Sequence, residues 1–183
     1  MAESNGDGIK EAMEMAEISI ILDTYDDIFS DFDPRPYNER ALSEDFIREA
    51  KRAARDRDAG TGLRLLIPQS VRNEKSEALI KVRLKDHFRK SHRRLAIELS
   101  ERNRRAAGLL VVGAVIGAAD VILISSAGFG TIFKDAVDII LTPASWYTIW
   151  TGFDNLLMKP KDTVADLGFY RKMMGAQITF TQY

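Results

Sequence analysis

Between Arg105 and Lys134 the chain carries one formal charge, Asp120. The run AAGLLVVGAVIGAADVILISSAGFGTIF is otherwise apolar, small or hydroxylic. A helix needs roughly 20 apolar residues to cross about 30 Å of hydrocarbon, and Ala106 to Ser125 supplies 20. A stretch of this kind predicts a membrane span and leaves one carboxylate where carboxylates are costly.

A second apolar segment, Ala136–Leu157, follows almost at once. Asp138 and Asp154 bracket 15 uncharged residues of it, and Pro143 interrupts them. We read it as a second spanning helix, with a re-entrant or interfacial helix as the competing reading. Orientation follows from the basic residues, which concentrate on the cytoplasmic side. Arg102, Arg104 and Arg105 precede the first span, Lys159 and Lys161 follow the second, and the connecting loop has only Lys134. Both termini are therefore expected in the cytoplasm of a prokaryotic cell, with the protein a multi-pass component of the inner membrane. The polar, acidic start MAESNGDGIKEAMEMAE fits no cleavable signal peptide. Trp146, Tyr147 and Trp150 fall toward the cytoplasmic end of the second segment, where amphipathic rings favour the headgroup region.

Gly113 and Gly117 form a GxxxG pair that lets two helix backbones approach closely. Asp120 lies seven residues after Gly113 and so near the same helix face. If the hairpin turns near Thr131, Thr142 comes to the depth of Asp120 and its hydroxyl is a candidate partner. Three readings of Asp120 follow: a protonated side chain hydrogen-bonded inside the helix pair, an ion or proton pathway, or a polar contact between subunits.

The remaining sequence is strongly asymmetric although the whole chain has a net charge of -1. Residues 1–58 carry 16 acids and 8 bases, a net of -8, and residues 59–105 carry 5 acids and 13 bases, a net of +8. Basic residues beside a span are explained by orientation and anionic lipid, each contributing about 1 kcal/mol, so no nucleic-acid partner is expected. There is no cysteine, which excludes disulfides and thiolate metal sites.

Glu17–Asp23 (EISIILD) and Leu63–Pro68 (LRLLIP) read as short strands. Between them Ser43 is a good N-cap for a helix with Phe46, Ile47, Ala50, Ala53 and Ala54 on one side. This order is a βαβ-like unit, which favours parallel strands with a right-handed crossover. A long helix is predicted from about Val71, with Ile80, Leu84, Phe88, Leu95 and Leu99 at helical spacing, and it runs into the first span unless it breaks near Ser100–Asn103. The closing GAQITFTQY alternates as a terminal strand. The predicted fold is an α+β cytoplasmic domain, with a small mixed sheet, a βαβ-like unit and a long helix, on a two-helix transmembrane hairpin. The divisions are a flexible amino terminus (1–15), the cytoplasmic domain (16–104), the hairpin (105–158) and a cytoplasmic carboxy-terminal segment (159–183) whose strand joins the sheet.

In DTYDDIFSDFDPRPYNER, Asp26, Asp27, Asp31 and Asp33 alternate with aromatic and apolar residues. Clustered carboxylates can hold Mg²⁺ or Ca²⁺ through oxygen, but the spacing fits no EF-hand loop. Helix capping and pairing with Arg35 and Arg40 account for the same residues, and a docking surface is the other use. His87 and His92 are five apart and diverge on a helix. No nucleophile, metalloprotease or phosphate-loop motif is present, so no catalytic residue, metal or cofactor is expected.

The run YDDIFSDFDPRPYNERALSEDF, the LIP…RLKDHF segment, PASWYTIWTGFD and the closing FYRKMMGAQITFTQY together resemble a family of uncharacterised small bacterial and archaeal two-span membrane proteins. The resemblance covers most of the chain and implies no activity, catalytic residue or cofactor. Relatives often place an acid before the proline equivalent to Pro143, where this chain has Thr142. The function expected is structural, a homo-oligomeric membrane-anchored scaffold or docking platform contacting lipid. The alternatives are an oligomeric channel or transporter with Asp120 in its pathway, and a metal-dependent enzyme using the Asp23–Asp33 loop.

Overall fold

The computed structural model describes residues 18–55, 62–158 and 161–183. The expected flexible segment 1–15, the first residue of the predicted strand, Glu17, and Lys159 lie outside these. The chain forms two compact units. Of the described residues, those up to Arg93 together with Ala165–Tyr183 form the first, and those from Arg94 to Val164 form the second.

The first unit is built on strands β1 (Ser19–Ile21), β2 (Gly62–Ile67) and β3 (Gln177–Gln182), in the order β1-β2-β3. Both pairings are parallel, with Ile20 opposite Leu65 and Leu65 opposite Phe180. The expected mixed sheet is thus corrected to a fully parallel one. The reason is a helix not anticipated from the sequence, Lys161–Gly175, which lies between the hairpin and β3. Parallel neighbours need a crossover of a dozen or more residues, usually helical. That helix completes the return, so that Gln177 enters the sheet beside Gly62. Helix α1 (Glu44–Arg55) serves β1 and β2 in the same way.

Leu65, Leu66 and Ile67 are consecutive and all buried. Such a run belongs to a central parallel strand covered on both faces. In β3 only alternate residues, Ile178 and Phe180, are buried. Ile80, Leu84 and Phe88, at spacings of four, are fully buried on the long helix α2 (Glu74–Ser125). Phe88 meets Phe169 edge-on, with ring centroids 6.1 Å apart. With Tyr170 and Met173, Phe169 gives α4 (Lys161–Gly175) its buried surface.

Helix α2 starts after Asn73, whose Oδ1 accepts from the backbone N–H of Lys75 and Ser76 at 3.0 and 3.2 Å. This is an N-cap that satisfies two otherwise unpaired donors. No break occurs at Ser100–Asn103, and the helix runs unbroken for 52 residues.

The second unit pairs the carboxy-terminal part of α2 with α3 (Thr131–Leu157). Helix α3 continues through Pro143, which has no N–H to give Ile139. Among the described residues, α2 is the one helix long and apolar enough to cross a membrane, with mean hydropathy 2.5 over its best 18 residues. Most of that window is exposed in the single chain.

Candidate functional site

The helix pair of the second unit has a regular inner stripe. On α2 it runs through Ala106, Gly113 and Asp120, all buried, and on α3 through Ser145 and Gly152, also buried. These spacings of seven match the period of two helices packed along a seam. A side chain at Gly113 would stand 2.6 Å from Ile149 Cγ1 and 3.1 Å from the Ser145 carbonyl oxygen. One at Gly117 would stand 2.8 Å from Ser145 Oγ, and one at Gly152 2.8 Å from Leu110 Cγ. Ser145 Oγ donates to the Gly113 carbonyl at 2.8 Å. The glycines are where the backbones come together. Ser145 and Gly152, overlooked in the sequence, supply the complementary half of that contact. Their signal was the small-residue spacing Ser145-x6-Gly152, diluted by the bulky Trp146, Tyr147 and Trp150 between them.

Asp120 is 4% exposed. Thr142 Oγ1 lies 2.8 Å from its Oδ2 and 2.7 Å from Asp138 Oδ1. The structure therefore brings Asp120 and Thr142 together and adds Asp138, one turn before Thr142. The other oxygen of Asp120, Oδ1, is buried with no hydrogen-bond partner. Elsewhere in this unit hydroxyls turn back on their own helices: Ser125 to Val121, Thr148 to Ala144 and Thr151 to Tyr147, at 2.7–2.8 Å.

The charged ends are capped by long side chains. Arg102 donates to the Asn155 and Met158 carbonyls at 3.3 and 2.8 Å, at the end of α3. Lys134 donates to the carbonyls of Ile124, at 2.8 Å, and Ser126, at the end of α2. Cations there complement the helix dipole. Arg104 is exposed, as is Arg105, which lies 3.7 Å from Glu101. Lys161 is the first residue of α4. Trp146, Tyr147 and Trp150 are exposed on α3, and the two indoles stack with centroids 5.7 Å apart.

In the first unit the acidic loop folds on itself. Asp27 Oδ2 accepts from the backbone N–H of Asp23 and Thr24 at 2.7 and 2.9 Å. Asp26 pairs with Arg40. Asp33 pairs with Arg35 and accepts from the Ala41 N–H at 2.6 Å. The Arg35 bond, reinforced by that backbone donor, holds the Asp33 carboxyl well below the usual carboxylate range. Asp31 is exposed, beside Phe32, which is 97% exposed. No three acidic or histidine side chains converge as metal ligands among the described residues.

Behind the loop, Glu77 is buried. It accepts from Arg72 Nε and Nη2 at 2.9 and 3.0 Å and from Tyr25 Oη at 3.2 Å. Arg72 holds the Glu77 carboxyl below its ordinary range, and burial pushes the Tyr25 hydroxyl up. The Tyr25 oxygen in turn accepts the Asn73 N–H at 2.8 Å. This buried network ties the loop to the start of α2. The chain matches no family model, no curated protein and no solved structure.

Proposed function

We propose that this protein is a membrane-anchored scaffold that assembles as a homo-oligomer, with the helix pair as a two-pass anchor and the sheet-bearing unit as a cytoplasmic docking platform. The observation that carries this reading is the inverted distribution of side chains in the second unit. Val111, Val115, Ile122, Ile139 and Ile140 are 62–73% exposed, while the carboxylate of Asp120 and the hydroxyl of Ser145 are buried between the helices. A helix pair in hydrocarbon must satisfy its polar groups internally and gains nothing by hiding aliphatic ones. The inward turn of Asp120 also favours an anchor over a pore lined by that residue.

In the acidic loop, Asp26, Asp27 and Asp33 cap and pair within the fold, which favours a structural or docking role over metal catalysis. Phe32 and Asp31 are left exposed for a partner. The resemblance to two-span membrane proteins agrees with the anchor.

The test uses the absence of native cysteine. Gly128 has open space around it and Gln182 is exposed, so single Gly128→Cys and Gln182→Cys variants are tolerated. A membrane-impermeant maleimide is expected to label the first in intact spheroplasts and the second only after permeabilisation. Labelling of neither in intact spheroplasts would reduce α3 to a re-entrant helix. A clean monomer by light scattering in mild detergent would remove the oligomer.

A further inference from the structure

We propose that Asp120, Thr142 and Asp138 form one proton-binding site, in which two carboxylates share a single proton through the threonine hydroxyl. The inference goes beyond the anchoring role and depends on neither topology nor oligomeric state, because it follows from counting hydrogens. Thr142 Oγ1 is within 2.8 Å of Asp120 Oδ2 and 2.7 Å of Asp138 Oδ1. A threonine hydroxyl has one hydrogen to donate, and an ionised carboxylate can only accept. With both acids ionised, one of these short contacts would set oxygen against oxygen with no hydrogen between them. One added proton completes both bonds.

The surroundings say where that proton sits. Asp120 is 4% exposed and its Oδ1 has no partner. A buried, unpaired carboxylate oxygen is far more costly than the carbonyl oxygen of a neutral acid. Asp138 is only half-buried and holds its place one turn from Thr142 on the same helix. The neutral acid is therefore Asp120: its Oδ2–H donates to Thr142 Oγ1, and the Thr142 O–H donates to Asp138 Oδ1, leaving the site with one negative charge. Neither acid makes an ion pair among the described residues. Lys134, the cation of the connecting loop, is directed to the Ile124 and Ser126 carbonyls. Asp135, three residues before Asp138 on α3, is also an acid and would raise the cost of a second negative charge, while Asp154 lies at the far end of the helix.

Infrared spectroscopy of the full chain in lipid bilayers at neutral pH tests this directly. Wild-type protein is expected to show the carbonyl stretch of a neutral carboxylic acid, shifted to lower frequency in D₂O. Asp120→Asn should abolish that band. Thr142→Val removes the hydroxyl that accepts the Asp120 hydrogen bond, so the band should persist at higher frequency; this variant keeps the test open if Asp120→Asn does not fold. A wild-type spectrum with no band that Asp120→Asn removes would overturn the proposal. So would a band unmoved by Thr142→Val.

Discussion

In the sheet-bearing unit, Leu65, Phe88 and Met173 are fully buried and the charged side chains lie outside or paired. In the helix pair, Val111, Val115 and Ile122 point outward, and Gly113, Gly117, Ser145 and Asp120 make the centre. The same chain therefore carries two opposite rules for what a buried position holds. In the first unit burial removes large apolar surface from water, the dominant favourable term in folding. In the second, close backbone approach and internal hydrogen bonds hold the helices, which is the rule expected of the membrane anchor proposed above, where lipid is as apolar as the side chains.

The largest test of that contrast cuts the same way in both units. Phe88→Ala deletes a fully buried ring in contact with Phe169 and Tyr170. It is expected to cost about 3–5 kcal/mol. Val115→Ala removes exposed surface from α2 and should change stability by less than about 0.5 kcal/mol. Denaturant titration of the full chain in detergent, followed by circular dichroism, measures both. Comparable losses would break the comparison.

Adding atoms should reverse the ranking. At Gly113 even a Cβ meets Ile149 Cγ1 at 2.6 Å and the Ile149 backbone nitrogen at 3.0 Å, so Gly113→Val forces the helices apart. The expected loss is about 1–3 kcal/mol, the usual range for overpacking. Gly108, on the same helix, has nothing within 4 Å of an added Cβ. Gly108→Ala there should gain about 0.5–1 kcal/mol from helix propensity. The two changes differ in sign only if the seam passes through Gly113 and not Gly108, and thermal unfolding in micelles decides it.

The buried carboxylates sharpen the comparison further. Arg72→Ala leaves Glu77 buried without its cation and is expected to cost about 1–3 kcal/mol. The dependence on pH has a definite sign. Arg72 lowers the Glu77 pKa in the folded state. Its stabilisation is complete above the ordinary glutamate value of about 4.3 and is lost as pH falls through the lower folded value. The wild-type melting temperature should therefore drop on acidification below about pH 4, and Glu77→Gln should flatten that drop.

Periodicity carried most of the fold. The long helix showed in Ile80, Leu84 and Phe88, and the terminal strand in Ile178 and Phe180, because regular burial leaves a regular pattern in residue type. The parallel pairing of β1 with β2 was legible in the strand–helix–strand order, but the direction of β3 was not, since it rests on α4, whose buried residues Phe169, Tyr170 and Met173 gather at one end and give no sustained helical stripe. In the acidic loop the pairing with Arg35 and Arg40 was legible from charge, but the path of the loop was not: backbone N–H groups donating to Asp27 and Asp33 shape it, and no side-chain period records them. In the helix pair the approach of Thr142 to Asp120 followed from hairpin arithmetic. Asp138 was read as a charge limiting the span, although its i, i+4 relation to Thr142 already put both on one helix face.

The smallest effect is expected at that cluster. Thr142→Val removes the hydroxyl that stands between the two acids, yet in the membrane anchor proposed above such an interhelical hydrogen bond contributes only about 0.6 kcal/mol on average and at most about 1.7. The small value has a physical reason: in the unfolded, still inserted helices the same groups find other partners. Glu77 has no such refuge, because in the unfolded state it is fully hydrated and its burial must be compensated by Arg72 each time the unit folds. Unfolding in micelles should therefore rank Thr142→Val below Arg72→Ala although both remove a hydrogen-bond partner from a buried acid. Equal losses would mean that Asp120 depends on its hydrogen-bond partner as an acid in a water-facing fold does, and the distinction between the two units would fail at the one place where both bury an acid.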